Sequence, residues 1–144
     1  MSEEMVVLFT IPGDPRGKGR PRASTRHGFI RMHTDPKTVA YEGLISLQAT
    51  LAMRGRPAIE GPVEVRIRAY YRIPKSASKN DALMMAQGFI TPANKKPDID
   101  NVAKSVMDGC SKGLCFKDDT QVVTLTCTKR YCDNPRVEVS ITKY

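Results

Sequence analysis

Five of the nine aspartates of this 144-residue chain (Asp98, Asp100, Asp108, Asp118 and Asp119) fall between residues 97 and 121, PDIDNVAKSVMDGCSKGLCFKDDTQ, and no glutamate does. The chain as a whole carries a formal net charge of +8, so this acidic window runs against the overall trend. Gathered carboxylates repel one another unless something positive sits between them, and a divalent cation serves that purpose best. Hard oxygen donors with no His or Cys among them suit Mg²⁺, or Mn²⁺ in its place, and not Zn²⁺. The expected ligands are Asp98, Asp100 and Asp119, and nothing calls for an organic cofactor.

Spacing supports that choice. Asp98 and Asp100 follow Pro97, which disfavours helix at Lys96, and in an extended approach two residues apart means the same side. A helix is expected from Asn101, with Ala103, Val106, Met107 and Cys110 on its buried face and Gly109 and Gly113 near its end. Asp100, Lys104 and Asp108 then share a neighbouring stripe, and Lys104, one turn in, is placed to meet a phosphate. The plainer readings are an N-cap for Asp100, a helical ion pair for Lys104 and a turn for Asp118 and Asp119. GLCFK is expected to run back beside the helix as a short strand, returning the Asp118–Asp119 turn to the helix start. Extending the next strand backward puts Asp119, not Asp118, on the helix side.

Other elements must hold this window in place. MVVLFTI reads as a strand ending at Pro12 and Gly13. HGFIRMHT reads as another short strand. A helix follows, capped by Thr34 or Asp35 with Pro36 at its first position, and Gly55 and Pro57 stop it. Val39, Leu44, Leu47 and Leu51, with Ile45 and Ala40, are its expected apolar face. Residues 62 to 72 alternate, with Val63, Val65, Ile67, Ala69 and Tyr71 facing the core and Glu64, Arg66, Arg68, Tyr70 and Arg72 facing water. A short helix over 81 to 87, capped by Ser78 or Asn80, interrupts the long connection 74 to 97. Residues 121 to 131 (Val123, Leu125 and Cys127 inward) and 136 to 142 (Val137, Val139 and Ile141 inward) are expected to pair as a hairpin. This order gives an α+β fold: one domain over residues 1–144, with a mixed β-sheet and helices packed largely on one face.

The pI near 9.5 points to a polyanionic partner, nucleic acid before membrane surface. In GDPRGKGRPRASTRHGFIR, Arg16, Lys18, Arg20, Arg22, Arg26 and Arg31 stand against the single acid Asp14, which favours phosphate contact over mere solubility. Lys95 and Lys96 add two cations just before the aspartates. With no tryptophan, base stacking is secondary, and Phe29, Tyr70 and Phe89 are the candidate wedges. Nothing reads as a signal peptide or a bilayer span, so a cytoplasmic protein with no membrane partner is expected. Cys110, Cys115, Cys127 and Cys132 repeat C-x4-C, wider than zinc knuckles, and read as small buried hydrophobes.

At these residues the chain resembles the RusA family of Holliday junction resolvases. KPDIDNVAKSVMDG, then KDDTQVV and Lys129, carry the likeness, with the GKGRPR loop and the closing strands extending it over most of the chain. The resemblance implies a homodimeric, Mg²⁺-dependent endodeoxyribonuclease of a bacterial or phage-infected cell. It would bind branched DNA and nick four-way junctions symmetrically. Asp98, Asp100, Asp119 and Lys104 take the catalytic positions, and Arg16, Lys18, Arg20, Arg22, Lys95, Lys96 and Lys129 are the DNA-contact set. A non-catalytic basic module and a nuclease of broader branched-DNA specificity are the alternatives.

Overall fold

The computed structural model describes residues 6–18, 22–24, 31–33 and 35–144. In chain order they form β1 (Val6–Pro12), β2 (Arg22–Ser24), β3 (Arg31–His33), α1 (Pro36–Met53), β4 (Val63–Arg72), α2 (Lys79–Ala86), α3 (Ile99–Lys112), a 3₁₀ turn (Asp119–Gln121), β5 (Val122–Cys132) and β6 (Arg136–Lys143). Four strands make one mixed sheet in the order β1-β6-β4-β5, and β2 pairs with β3 in a separate antiparallel ribbon. The architecture is α+β, as expected. Of the strand predicted over HGFIRMHT, residues 31–33 are described and form β3, and its partner β2 comes from the stretch expected to be loop.

Period-two alternation builds the sheet's inner face. Val7, Phe9 and Ile11 of β1, Val63, Val65, Ile67, Ala69 and Tyr71 of β4, and Val137, Val139 and Ile141 of β6 are all buried. Each such aliphatic side chain contributes about 1.5–3 kcal/mol of transfer free energy. α1 and α3 complete this core. Asp35 caps α1 by accepting the Lys37 N–H at 2.8 Å, and Arg54 ends it in the left-handed region at φ 54°. The buried stripe of α1 is Tyr41, Ile45, Ala49 and Met53, whereas Val39, Leu47 and Leu51 are exposed. The predicted stripe was displaced because the shape of α3, not apolarity alone, selects the face. Gly109 and Gly113 let α1 approach closely: a Cβ on Gly109 would lie 2.6 Å from Ile45 Cβ, and one on Gly113 2.6 Å from Ala49 Cβ.

The sheet's connections decide where the acidic window goes. β5 runs parallel to β4, in register from Glu64↔Thr124 to Arg72↔Cys132, while β6 pairs antiparallel with β4 and β1. The closing strands are therefore not a hairpin, because β4 lies between them. Asp133, Asn134 and Pro135 span that gap of two strand spacings, about 10 Å. β4, α3 and β5 form a β-α-β unit, so α3 runs opposite to both strands. It begins where they end and ends where they begin. Gly113 to Lys117 does not return along the helix. Leu114 turns the chain at φ 62°, and Phe116 makes an isolated bridge to Ile59, just before β4.

Candidate functional site

Helix α3 begins two residues earlier than the sequence suggests, at Ile99, and this changes the standing of its two leading aspartates. Asp98, not Asp100, is the N-cap (φ −67°, ψ 153°), yet its side chain makes no capping hydrogen bond. Its carboxylate is half exposed and lies 3.2 Å from Lys96 Nζ. Asp100 stands exposed in the first turn. Both carboxylates sit at the positive end of the helix dipole with their oxygen lone pairs largely uncommitted. One turn further, the exposed Lys104 Nζ lies 3.8 Å from Asp108 Oδ2.

Three other parts of the chain fix this helix start. Tyr71 at the end of β4 donates its hydroxyl to the Pro97 carbonyl at 2.6 Å. Lys129 of β5 donates to the Lys95 carbonyl at 2.7 Å and lies 5.1 Å from the centre of the Tyr71 ring. Burial, then the neighbouring Cys127 and Asp98, push the Tyr71 pKa up to about 12, which keeps this hydroxyl a donor. From the N-terminal side, the Lys18 N–H donates to the Asn101 carbonyl at 3.2 Å and Ser105 Oγ donates to the Arg16 carbonyl at 3.2 Å. Gly17 sits between them, where a Cβ would come within 2.6 Å of Asn101 Cβ. An open cleft of about 430 Å³ adjoins the site, lined by Thr91, Pro92, Ala93, Asp98, Ile99 and Lys129.

Lys18 was expected on DNA, but the structure commits it inward. Its Nζ lies 2.5 Å from Asp108 Oδ2 and 3.0 Å from Glu42 Oε1, while Lys112 holds Glu42 Oε2 at 2.8 Å. The Asp108 hydrogen bond, then that of Glu42, raise the Lys18 pKa above 10.5. Burial alone would raise the pKa of Glu42, but the hydrogen bonds from Lys112 and Lys18 outweigh it and leave it below 4.5. A depressed carboxylate pKa adds stability above its unfolded value, and that stability is lost as pH falls through the folded value. Urea midpoints should therefore drop on going from about pH 6 to about pH 3, and Glu42→Gln should flatten part of that drop; an unchanged slope would refute the assignment. Glu42 was missed because it lies in α1, far from the window in sequence.

The Asp118–Asp119 turn is built by a different device. Asp118 Oδ1 accepts the Thr120 N–H at 3.0 Å, and Gln121 Oε1 accepts those of Lys117 and Asp118 at 2.8 and 3.1 Å. Gln121 Nε2 in turn donates to the carbonyls of Ile59 and Gly61 at 2.7 and 3.0 Å, pinning the turn beneath β4. The D-x-x-Q spacing from Asp118 is a capping-box pattern that could have revealed this role. Asp119 remains exposed, with its carboxylate free of such duties. It is at the opposite end of α3 from Asp98, however. Ser111 in the last turn reaches toward the Lys117 carbonyl at 3.5 Å, and the Asp119 charge helps raise the pKa of buried Cys110, after the hydrogen bond to Cys115 and burial. Among the described residues, no group of three or more His, Cys, Asp or Glu side chains is close enough to hold a metal ion.

Of the expected DNA-contact set, Arg16, Lys95 and Lys96 are exposed and Lys129 is half-buried beside Asp98. Arg20 and the side chain of Arg22 lie outside the described residues, as does Phe29. Phe89 is exposed, while Tyr70 stacks with Arg136 at 4.1 Å. The wet sheet face carries Arg66, Arg68 and Arg130 beside Thr126 and Thr128, a second cationic surface. All four cysteines are free thiols; Cys110 and Cys115 are buried, while Cys127 and Cys132 are half-buried. Among the described residues no helix is long and apolar enough to cross a membrane.

A β-α-β unit that presents uncommitted carboxylates beside lysines, in a strongly cationic chain, has the make-up of a protein acting on nucleic-acid phosphates. Residues 12–142 match the family described as endodeoxyribonuclease RusA, and the chain belongs to that family. It is also similar to the uncharacterized protein YqaN of Bacillus subtilis (strain 168), with 38% identity over 137 residues that cover 94% of each chain.

Proposed function

We propose that the protein is a divalent-metal-dependent endodeoxyribonuclease that resolves four-way DNA junctions as a homodimer in the cytoplasm. The observation that carries this reading is the pair Asp98 and Asp100, unspent on capping and exposed at the start of α3 in a RusA-family chain. Their hard oxygens fit Mg²⁺ or Mn²⁺; Asp119, exposed at the other end of α3, is the third carboxylate assigned to the reaction. Such a metal, when bound, supplies Lewis-acid charge and an activated water for phosphodiester hydrolysis. The chain's own residues do the rest. Lys104 presents a fixed positive charge one turn from Asp100 and stabilises the charge that develops on the phosphate. Lys96 and Lys129 flank Asp98 and draw the backbone in, and Arg16, Lys95, Arg20 and Arg22 extend that track.

The decisive experiment compares four-way, three-way, flap and linear DNA on denaturing gels with and without Mg²⁺. Paired nicks at symmetric positions of the four-way junction are expected. Binding without cutting would make the protein a basic binding module, and equal cutting of flaps would make it a nuclease of broader specificity.

Two variants separate binding from catalysis. Lys104→Ala is expected to bind junctions normally but cut them on the order of a hundredfold more slowly. Arg16→Ala combined with Lys95→Ala should weaken binding and lower the salt slope by up to about 0.9 per lost phosphate contact. Unchanged slopes would remove both residues from the interface.

A further inference from the structure

Three lysines and two carboxylates alternate along one side of α3. Lys104 Nζ lies 3.8 Å from Asp108 Oδ2, and Lys18 Nζ lies 2.5 Å from that same oxygen. Glu42 then stands between two lysines, with Oε1 3.0 Å from Lys18 and Oε2 2.8 Å from Lys112. The side chains of Lys18, Asp108 and Glu42 are 26%, 16% and 8% exposed, whereas those of Lys104 and Lys112 are 61% and 60% exposed. The array therefore has a sheltered middle, two wet ends and one cation in excess.

That excess falls on Lys104. Lys18 and Lys112 donate hydrogen bonds to Asp108 and Glu42 respectively, while the 3.8 Å from Lys104 exceeds the roughly 2.7–3.2 Å of an N–H···O bond. A lysine and an aspartate at i and i+4 on a helix ordinarily pair. Asp108 is thus the natural partner of Lys104, but Lys18 has taken the oxygen that faces it. Glu42 holds Lys18 from the other side, and the Lys18 backbone N–H is tied to the Asn101 carbonyl at 3.2 Å, so this cation stays in place.

Resting on the function proposed above, we infer that Lys18 is a positioning residue for the cleavage reaction: by occupying Asp108 it keeps the Lys104 ammonium uncommitted and available to the scissile phosphate. Without Lys18, the sheltered Asp108 carboxylate would be left with Lys104 as its nearest cation and would draw it into a charge-assisted hydrogen bond. That bond must break before Lys104 can meet a phosphate, which slows cleavage on the order of tenfold. Lys18 itself needs no contact with DNA to have this effect. Its place in the chain, at the root of the basic arm, makes the seating of that arm on α3 a condition for a free Lys104.

A double-substitution cycle tests this. Lys18→Met should cut four-way DNA on the order of tenfold more slowly under single-turnover conditions, with binding and its salt slope unchanged. Lys18→Arg, which can still occupy Asp108, should keep the rate. Lys18→Met combined with Asp108→Asn should recover it, because the carboxylate that captures Lys104 is gone, whereas a purely structural pair would be no better or worse for a second substitution. A double variant no faster than Lys18→Met overturns the inference, and so does a Lys18→Met protein that binds DNA more weakly with a lower salt slope. If Lys18→Met does not fold, Asp108→Asn alone decides: it should keep the rate, and a loss would show that Lys104 depends on Asp108 rather than on being freed from it. Proton–nitrogen spectra of DNA-free protein labelled with ¹⁵N-lysine give a readout apart from cleavage. The Lys104 ammonium should exchange its protons rapidly in the unsubstituted chain, slowly in Lys18→Met and rapidly again in the double variant; unchanged exchange in Lys18→Met overturns the inference. An unsubstituted chain that cuts no DNA would instead sink the functional reading, while the spectra would still judge whether Lys18 frees Lys104.

Discussion

Asp119→Asn is expected to give a protein that folds, binds four-way DNA at least as tightly as the unsubstituted chain, and cuts it at least about a hundredfold more slowly. Asparagine keeps the size and polarity of the side chain and removes only its charge. The Asp119 side chain makes none of the turn's hydrogen bonds, and its backbone carbonyl, which accepts the Val122 N–H, is kept in asparagine, so nothing structural should fail. Binding holds or improves because a carboxylate without its metal repels the scissile phosphate and an amide does not. The neighbouring residue is the control. Asp118 Oδ1 caps the turn, so Asp118→Asn, which can still accept that hydrogen bond, should retain activity, while Asp118→Ala should lose about 1 kcal/mol of stability. Gel-shift and cleavage assays on the three variants decide the matter, and an active Asp119→Asn protein would remove Asp119 from the site.

Phe116→Ala is expected to lower the unfolding free energy by about 3–5 kcal/mol, a large part of the stability of a domain this size. Phe116 is the largest of the fully buried side chains, and its bridge to Ile59 fixes the path from α3 to the Asp119 turn. Removing the ring leaves a cavity below the sheet and loosens that path. Urea denaturation monitored by circular dichroism gives the energy. Cleavage measured well below the melting temperature should fall as well, since a loosened turn misplaces Asp119. A loss under 1 kcal/mol would mean that the core closes over the gap.

How much of this was legible in the sequence depends on the range of the signal. The apolar run of β1, the strand alternation in β4 and β6, the Asp35–Pro36 start of α1, the Ser78 cap of α2 and most of the buried face of α3 follow from nearest-neighbour chemistry, and the structure agrees with them. What failed depends on partners far away in the chain. The spacing of Val39, Leu47 and Leu51 is helical, but Gly109 and Gly113 choose the face that packs. Val123 and Leu125 alternate like core residues, yet β5 became an edge because β6 crossed to the other side of β4. The same parallel β4–β5 pairing carried Asp119 away from Asp98, since no local pattern tells a returning strand from a crossover. Within the site, residue types were readable and their division between capping and open chemistry was not. Asp98, the actual N-cap, leaves its carboxylate unused, whereas Asp118 spends its own.

The three contacts that tie residues 16–18 to the first turns of α3 have a mechanical meaning. Gly17 wedges against Asn101, Lys18 clasps its carbonyl, and Ser105 holds Arg16 from behind. The root of the basic arm and the turn that bears Asp98 and Asp100 therefore shift as one body. On the proposed function, a phosphate held by Arg16 would exert torque on the helix that carries the carboxylates, so that grip on the DNA would be transmitted as aim. By reciprocity, whatever a cation does to steady that turn also steadies the arm.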